Sequence, residues 1–164
     1  MSCWANCTAP AHLKLLRRAK GDGRVRAIGI STSHGQGHDE AQRIIRNQAI
    51  DALQITYNLA DASAEPVMNL AGERGLAVVI NRPFDGGALF STVRRRSLPN
   101  WAAEAGCADW AQFFLKWVVS HPAVTCTIPA TTNARHMNEN MAAGRGPLPD
   151  AAVRRRMQAL IAAM

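Results

Sequence analysis

The chain has little aromatic content, 5% of its 164 residues, and a single tyrosine, Tyr57. No uncharged apolar run approaches the ~18 residues that a membrane-spanning helix needs. The start, Met1-Ser2-Cys3-Trp4-Ala5-Asn6-Cys7, lacks a basic segment followed by an apolar one. These absences predict a soluble, cytoplasmic protein with neither a membrane span nor an export signal. Cysteine is also scarce. Cys3, Cys7, Cys107 and Cys126 do not have the spacing of a disulfide framework, and Cys126 falls in an apolar run expected to be a buried strand. No second ligand pair follows Cys3 and Cys7, and His34, His38 and His121 have no carboxylate or cysteine partner at ligand spacing. No metal site is therefore expected, and these histidines read as solvated or capping groups. Internal repeats and low-complexity linkers are missing too, which leaves one domain over residues 1–164.

Acidic residues are outnumbered, and the formal net charge is +7. Basic patches attract polyanions, so a nucleic-acid-binding protein is one alternative. The runs Arg94-Arg95-Arg96 and Arg154-Arg155-Arg156 carry no interleaved aromatics, however, and the second shares a helix with the apolar stripe Val153, Met157, Leu160 and Ile161. Both runs read as solvated faces, with no nucleic acid or membrane as partner.

Four short runs are continuously apolar: Val25–Ile30, Ala52–Tyr57, Leu76–Ile80 and Ala123–Ile128. Such runs suit strands buried on both faces of a parallel sheet. Helical periodicity fills the intervals, most clearly at Trp110, Phe113, Phe114, Trp117 and Val118. A leading helix over Leu13–Lys20 ends at Gly21-Asp22-Gly23, so residues 1–23 precede the first strand. Pro149-Asp150 starts a last helix within residues 148–164. The order is four βα units, which fits either an open doubly wound sheet or half of an eight-stranded barrel.

In either fold ligands bind beyond the C-terminal ends of the strands, and the residues there are polar or glycine-rich. They are Ser31-Thr32-Ser33-His34, Gln54 to Asn58, Asn81-Arg82-Pro83-Phe84-Asp85-Gly86-Gly87, and Pro129-Ala130-Thr131-Thr132-Asn133. Gly86 and Gly87 permit close backbone approach to an anion, and a helix start at Thr132 or Asn133 offers free N–H groups and a favourable dipole to a phosphate.

Four motifs, Arg24–Ser31, Asp51–Tyr57, Asn81–Gly87 and Ile128–Asn133, followed by His136-Met137-Asn138-Glu139-Asn140, come in an order that resembles the second half of the aldo/keto reductases. The resemblance implies an α/β fold, the C-terminal half of a (β/α)8 TIM barrel, with NADP or NAD as cofactor and a small carbonyl compound as substrate. By that resemblance Ser31 and Gln54 hold the nicotinamide carboxamide, with Thr32 beside them where the family often has asparagine. The loop from Asn81 and Arg82 through Pro83, Phe84, Gly86 and Gly87 follows the pyrophosphate, with backbone N–H groups as donors. Thr131 and Thr132 match the 2′-phosphate or ribose region, and Glu139 and Asn140 match residues at the adenine. Two positions depart from the pattern. Asn81 stands where many members have an aromatic ring, and His136 stands where NADPH-preferring members often carry arginine, so the cofactor preference stays open.

The family's catalytic aspartate, tyrosine, lysine and histidine come from strands one to four, for which this sequence has no counterpart. Tyr57 belongs to the second motif and reads as a structural or nicotinamide-face residue. No catalytic residue is assigned, and the lone chain is expected to be an inactive, truncated reductase. The alternatives are a non-catalytic dinucleotide-binding half-barrel and a self-associating one, the latter a homodimer formed through exposed barrel edges.

Overall fold

The computed structural model describes residues 10–164 except residue 34, so Cys3, Cys7 and His34 lie outside the described residues. An apolar run must pair its backbone groups where water is excluded. The runs do so by pairing with one another, as a single parallel sheet in the order β1 (Gly29–Ser31), β2 (Ala52–Thr56), β3 (Ala77–Asn81), β4 (Cys126–Thr127). Gly29 aligns with Ala52, Ala52 with Ala77, and Val79 with Cys126. The helices are α1 (Pro10–Gly21), α2 (His38–Asn47), α3 (Glu65–Glu73), α4 (Ala88–Thr92), α5 (Trp110–Val119), α6 (Ala134–Ala142) and α7 (Ala151–Ala162). Side-chain caps set three of their starts. Asp109, Asn133 and Asp150 each accept a backbone N–H from the first turn of α5, α6 and α7.

Side chains alternate across a strand, so the sheet has two unlike faces. On one, Ile30, Leu53, Ile55, Val78 and Ile80 join Ile44, Ile45, Val67, Met68, Phe113 and Phe114 of the helices in the buried core. On the other, Gly29, Ser31, Ala52, Gln54, Ala77 and Val79 are only partly covered. The expectation of strands buried on both faces therefore holds in full for none of the four, and least of all at the edges. β1 begins only at Gly29, with Val25 39% exposed, while β4 shrinks to two residues, with Cys126 exposed and Ile128 49% exposed. The physical reason is that an edge strand has one pairing partner, so where the chain turns away from that partner nothing on the other side holds it extended, and both edges end short of their neighbours.

The arginine run of α7 also differs from expectation. Arg154 turns inward, stacks over Trp117 at 4.5 Å and donates to Trp117 O, to Ser120 Oγ (2.8 Å) and to the Tyr57 hydroxyl (2.7 Å). Arg156 lies over Trp101 at 4.1 Å. An arginine stem and planar head cover aromatic surface that water would otherwise meet, which periodicity alone does not reveal. Tyr57 is fully buried on the helix-covered side of the sheet, donates to Glu65 Oε1 (2.5 Å) and stacks on Trp117 at 4.6 Å. Burial, with the Glu65 hydrogen bond behind it, holds its hydroxyl far above the ordinary phenol range. Of the two roles read for Tyr57, the structural one is the one its surroundings fit.

Candidate functional site

At the C-terminal ends of β1, β2 and β3 the polar residues meet. Ser31 is in register with Gln54, and Thr56 with Asn81, so these four project from the face that the helices leave partly uncovered. The Thr32 N–H donates to Gln54 O (2.9 Å). Thr56 Oγ1 donates to Asn81 Oδ1 (2.6 Å), and Asn81 Nδ2 donates to Thr32 O (3.0 Å). One asparagine thereby joins three strand ends. Thr32 Oγ1 is buried with no hydrogen-bond partner in the protein. A buried hydroxyl without a partner is costly, and such groups concentrate where a ligand completes the site.

After β3 the chain enters a tightly wound loop. Arg82, Asp85, Gly86 and Gly87 all have positive φ, at 49°, 50°, 64° and 101°. For arginine and aspartate that conformation carries strain, which persists only where surrounding contacts enforce it. Those contacts are present. Fully buried Asn58 donates through Nδ2 to Arg82 O (3.1 Å), Pro83 is buried, and Phe84 packs against Phe90 and Phe114 with ring centroids 4.9 and 6.4 Å apart. The aromatic run of α5 thus anchors the loop. The guanidinium of Arg82 folds over Gly86, where a Cβ would lie 3.0 Å from Nη2. Its Nε is buried without a partner, and Nη2 stands 3.8 Å from Asp85 Oδ1. Successive backbone N–H groups in left-handed turns form a concavity suited to anions.

The residues after β4 form a separate group along α6. Asn133, not Thr132, is the N-cap: its side chain accepts from Arg135 N (2.9 Å), while Thr131 Oγ1 accepts from Asn133 N (3.1 Å). Thr132 and His136 are exposed, Glu139 faces Arg135 at 3.4 Å, and Asn140 is buried. Ile128 N donates to Ile80 O (3.0 Å), which fastens this segment to β3. Sequence reasoning had singled out neither Thr56 nor Asn58. Both stood in the Gln54 to Asn58 segment at the polar strand end, which could have flagged them, but Thr56 also sits inside the apolar run, which masked it.

A parallel sheet flanked by helices, with hydroxyls, amides and a loop of left-handed turns at its strand ends, defines an α/β protein. The aldo/keto reductase family model matches residues 4–161, and the chain belongs to that family. It is 29% identical over 133 residues to the pyridoxine 4-dehydrogenase of Escherichia coli, covering 81% of this chain and 44% of that protein. Among solved structures, an aldo-keto reductase from Klebsiella pneumoniae in complex with NADPH superposes with a TM-score of 0.74 at 21% identity, over 96% of this chain and 55% of that one. The apo form of an aldo-keto reductase from Bacillus halodurans gives a TM-score of 0.72 at 20% identity, over 95% and 59%. The four-stranded sheet therefore matches the TIM-barrel fold of these structures, and the chain spans about half the length of the relatives it matches.

Proposed function

We propose that this chain is the nicotinamide-dinucleotide-binding part of a cytoplasmic oxidoreductase that reduces small aldehydes or ketones with NADPH or NADH. The observation that carries the reading is the meeting, at one end of the sheet, of Ser31, Thr32, Gln54 and Asn81 with the strained loop from Arg82 to Gly87. The donors fit a dinucleotide. The unpartnered Thr32 hydroxyl and the Gln54 amide suit a primary carboxamide, and the loop suits a diphosphate. Thr131, Thr132 and the exposed His136 suit the ribose and its phosphate, and Glu139 and Asn140 lie further along α6 toward the adenine. When bound, the reduced nicotinamide supplies hydride to a carbonyl carbon. This chain's residues orient the ring and hold the phosphates. The proton for the carbonyl oxygen comes from outside them, so the chain alone is expected to turn over no carbonyl substrate, which NAD(P)H oxidation against an aldehyde panel would test.

Binding is the direct check. Gly87→Asp places a carboxylate by the diphosphate, whereas Gly87→Asn adds nearly the same bulk and the same backbone strain without charge. Gly87→Asp should weaken NADP⁺ by roughly tenfold more than Gly87→Asn at low salt, and the gap should close as salt rises. Equal affinities for the two variants would place the diphosphate elsewhere.

A second reading, self-association through the sheet edges, rests on where apolar surface is exposed. Leu15 and Val25 lie on the β1 side, and Ile128, Met137 and Met141 on the β4 side. A homodimer would cover both.

A further inference from the structure

Asn81 has a use beyond its place in the cofactor loop. Its amide orientation is fixed by its partners: a backbone carbonyl only accepts, so Nδ2 must face Thr32 O, leaving Oδ1 for the Thr56 hydroxyl. Thr32 is consequently gripped at both of its backbone groups, its N–H by Gln54 O at 2.9 Å and its carbonyl by Asn81 at 3.0 Å. What remains is its side-chain hydroxyl, buried and unpartnered. A residue immobilised twice by its backbone and left with one unmade hydrogen bond holds that hydroxyl ready for a ligand before the ligand arrives.

Resting on the dinucleotide reading above, we infer that Asn81 is a positioning residue for the nicotinamide end of the cofactor. It makes no contact with the ring in this role. By tying Thr32 to Thr56 it fixes the strand end that carries the Thr32 and Ser31 hydroxyls next to Gln54, and together these three side chains read a primary carboxamide, which offers two donors and one acceptor. The adenine half of the ligand, held from the β4 side, does not depend on it.

The test is a set of calorimetric titrations with NADP⁺ and with 2′,5′-ADP, which keeps the adenine half and lacks nicotinamide. Both ligands are titrated into wild type, Asn81→Ala, Thr32→Val and the double variant. Asn81→Ala and Thr32→Val should each weaken NADP⁺ roughly tenfold, the size expected for one lost hydrogen bond to ligand, and change 2′,5′-ADP less than about twofold. Because Asn81 acts through Thr32, the double variant should be no weaker than about either single one. Parallel losses for both ligands would make Asn81 merely structural, and additive losses in the double variant would break its link to Thr32; either result overturns the inference. Wild type binding 2′,5′-ADP as tightly as NADP⁺ would also overturn it while leaving an adenine-side site intact. Wild type binding none of NADP⁺, NAD⁺ and 2′,5′-ADP would sink the dinucleotide reading and this inference with it.

Discussion

Gly29 shows how little room single positions leave. A Cβ there would lie 2.3 Å from the Ala52 carbonyl oxygen, backbone against backbone, so neither side can yield without moving β1 from β2. Gly29→Ala should lower the unfolding free energy by about 1–3 kcal/mol or more, read as a lower urea midpoint at unchanged slope. His121 illustrates a titration. Burial first, and the neighbouring Arg154 next, lower its pKa from the ordinary 6.5, against an opposing pull from Glu65, while Nδ1 accepts from Ala123 N (3.2 Å). The folded protein therefore takes the proton less readily than the unfolded chain. Stability is fully present above the unfolded value and is lost as pH falls through it toward the depressed folded value. Urea midpoints measured from about pH 7 down to about pH 5 should fall in wild type and fall less in His121→Gln; parallel declines would show that His121 does not drive the loss. At this scale the sequence was readable where chemistry is local, as at the Asp150 cap. It was silent where partners lie far apart, as for Arg154 and Tyr57, 97 residues away.

Among the described elements, α7 is attached by polar contacts as well as by its buried Met157 and Ile161. Arg154 joins it to Tyr57 and to the end of α5, and stands 3.7 Å from Glu65, while Trp117 Nε1 donates back to Arg154 O (3.2 Å). Replacing Arg154 by Met keeps the stem and removes the donors, leaving the Tyr57 hydroxyl only its bond to Glu65 and the Trp117 carbonyl only its bond from Ser120 Oγ. The expected loss is about 2–3 kcal/mol in urea unfolding, with Arg154→Lys recovering only part because a point ammonium cannot span the same partners. Fully buried Lys116 plays a similar part before α7, donating from Nζ to Arg145 O (2.7 Å) and Pro147 O (2.8 Å). Sequence periodicity located β2 and β3 to within a residue, because central strands are paired on both sides and their whole apolar run is used. It overextended β1 and β4. Apolar composition shows that a run could be a strand but says nothing of how far a neighbour's ladder reaches. The hydrogen-bonded joint at Asn81 was invisible for a related reason, since its partners Thr32 and Thr56 belong to other strands.

The molecule as a whole has one well-covered sheet face and one partly open face, with exposed apolar side chains toward both sheet edges. Unpaired edge backbone and exposed Ile128, Met137 and Met141 favour association, and a closed symmetric dimer would satisfy both edges without open-ended growth. Sedimentation velocity across a hundredfold range of concentration should show a monomer–dimer shift, and Met141→Lys should move it toward monomer. A single monomeric species throughout would rule this association out. Dinucleotide binding at the open strand ends is tested most directly by residue-resolved NMR during NADP⁺ and NAD⁺ titrations. Amide shifts should move at Ser31, Thr32, Gln54, at Arg82 and Phe84 through Gly87, and at Thr131 and Thr132, while Leu15 of α1 and Val25 ahead of β1 stay still. No saturable shift with either NADP⁺ or NAD⁺ at millimolar concentration, or shifts centred away from the strand ends, would contradict it.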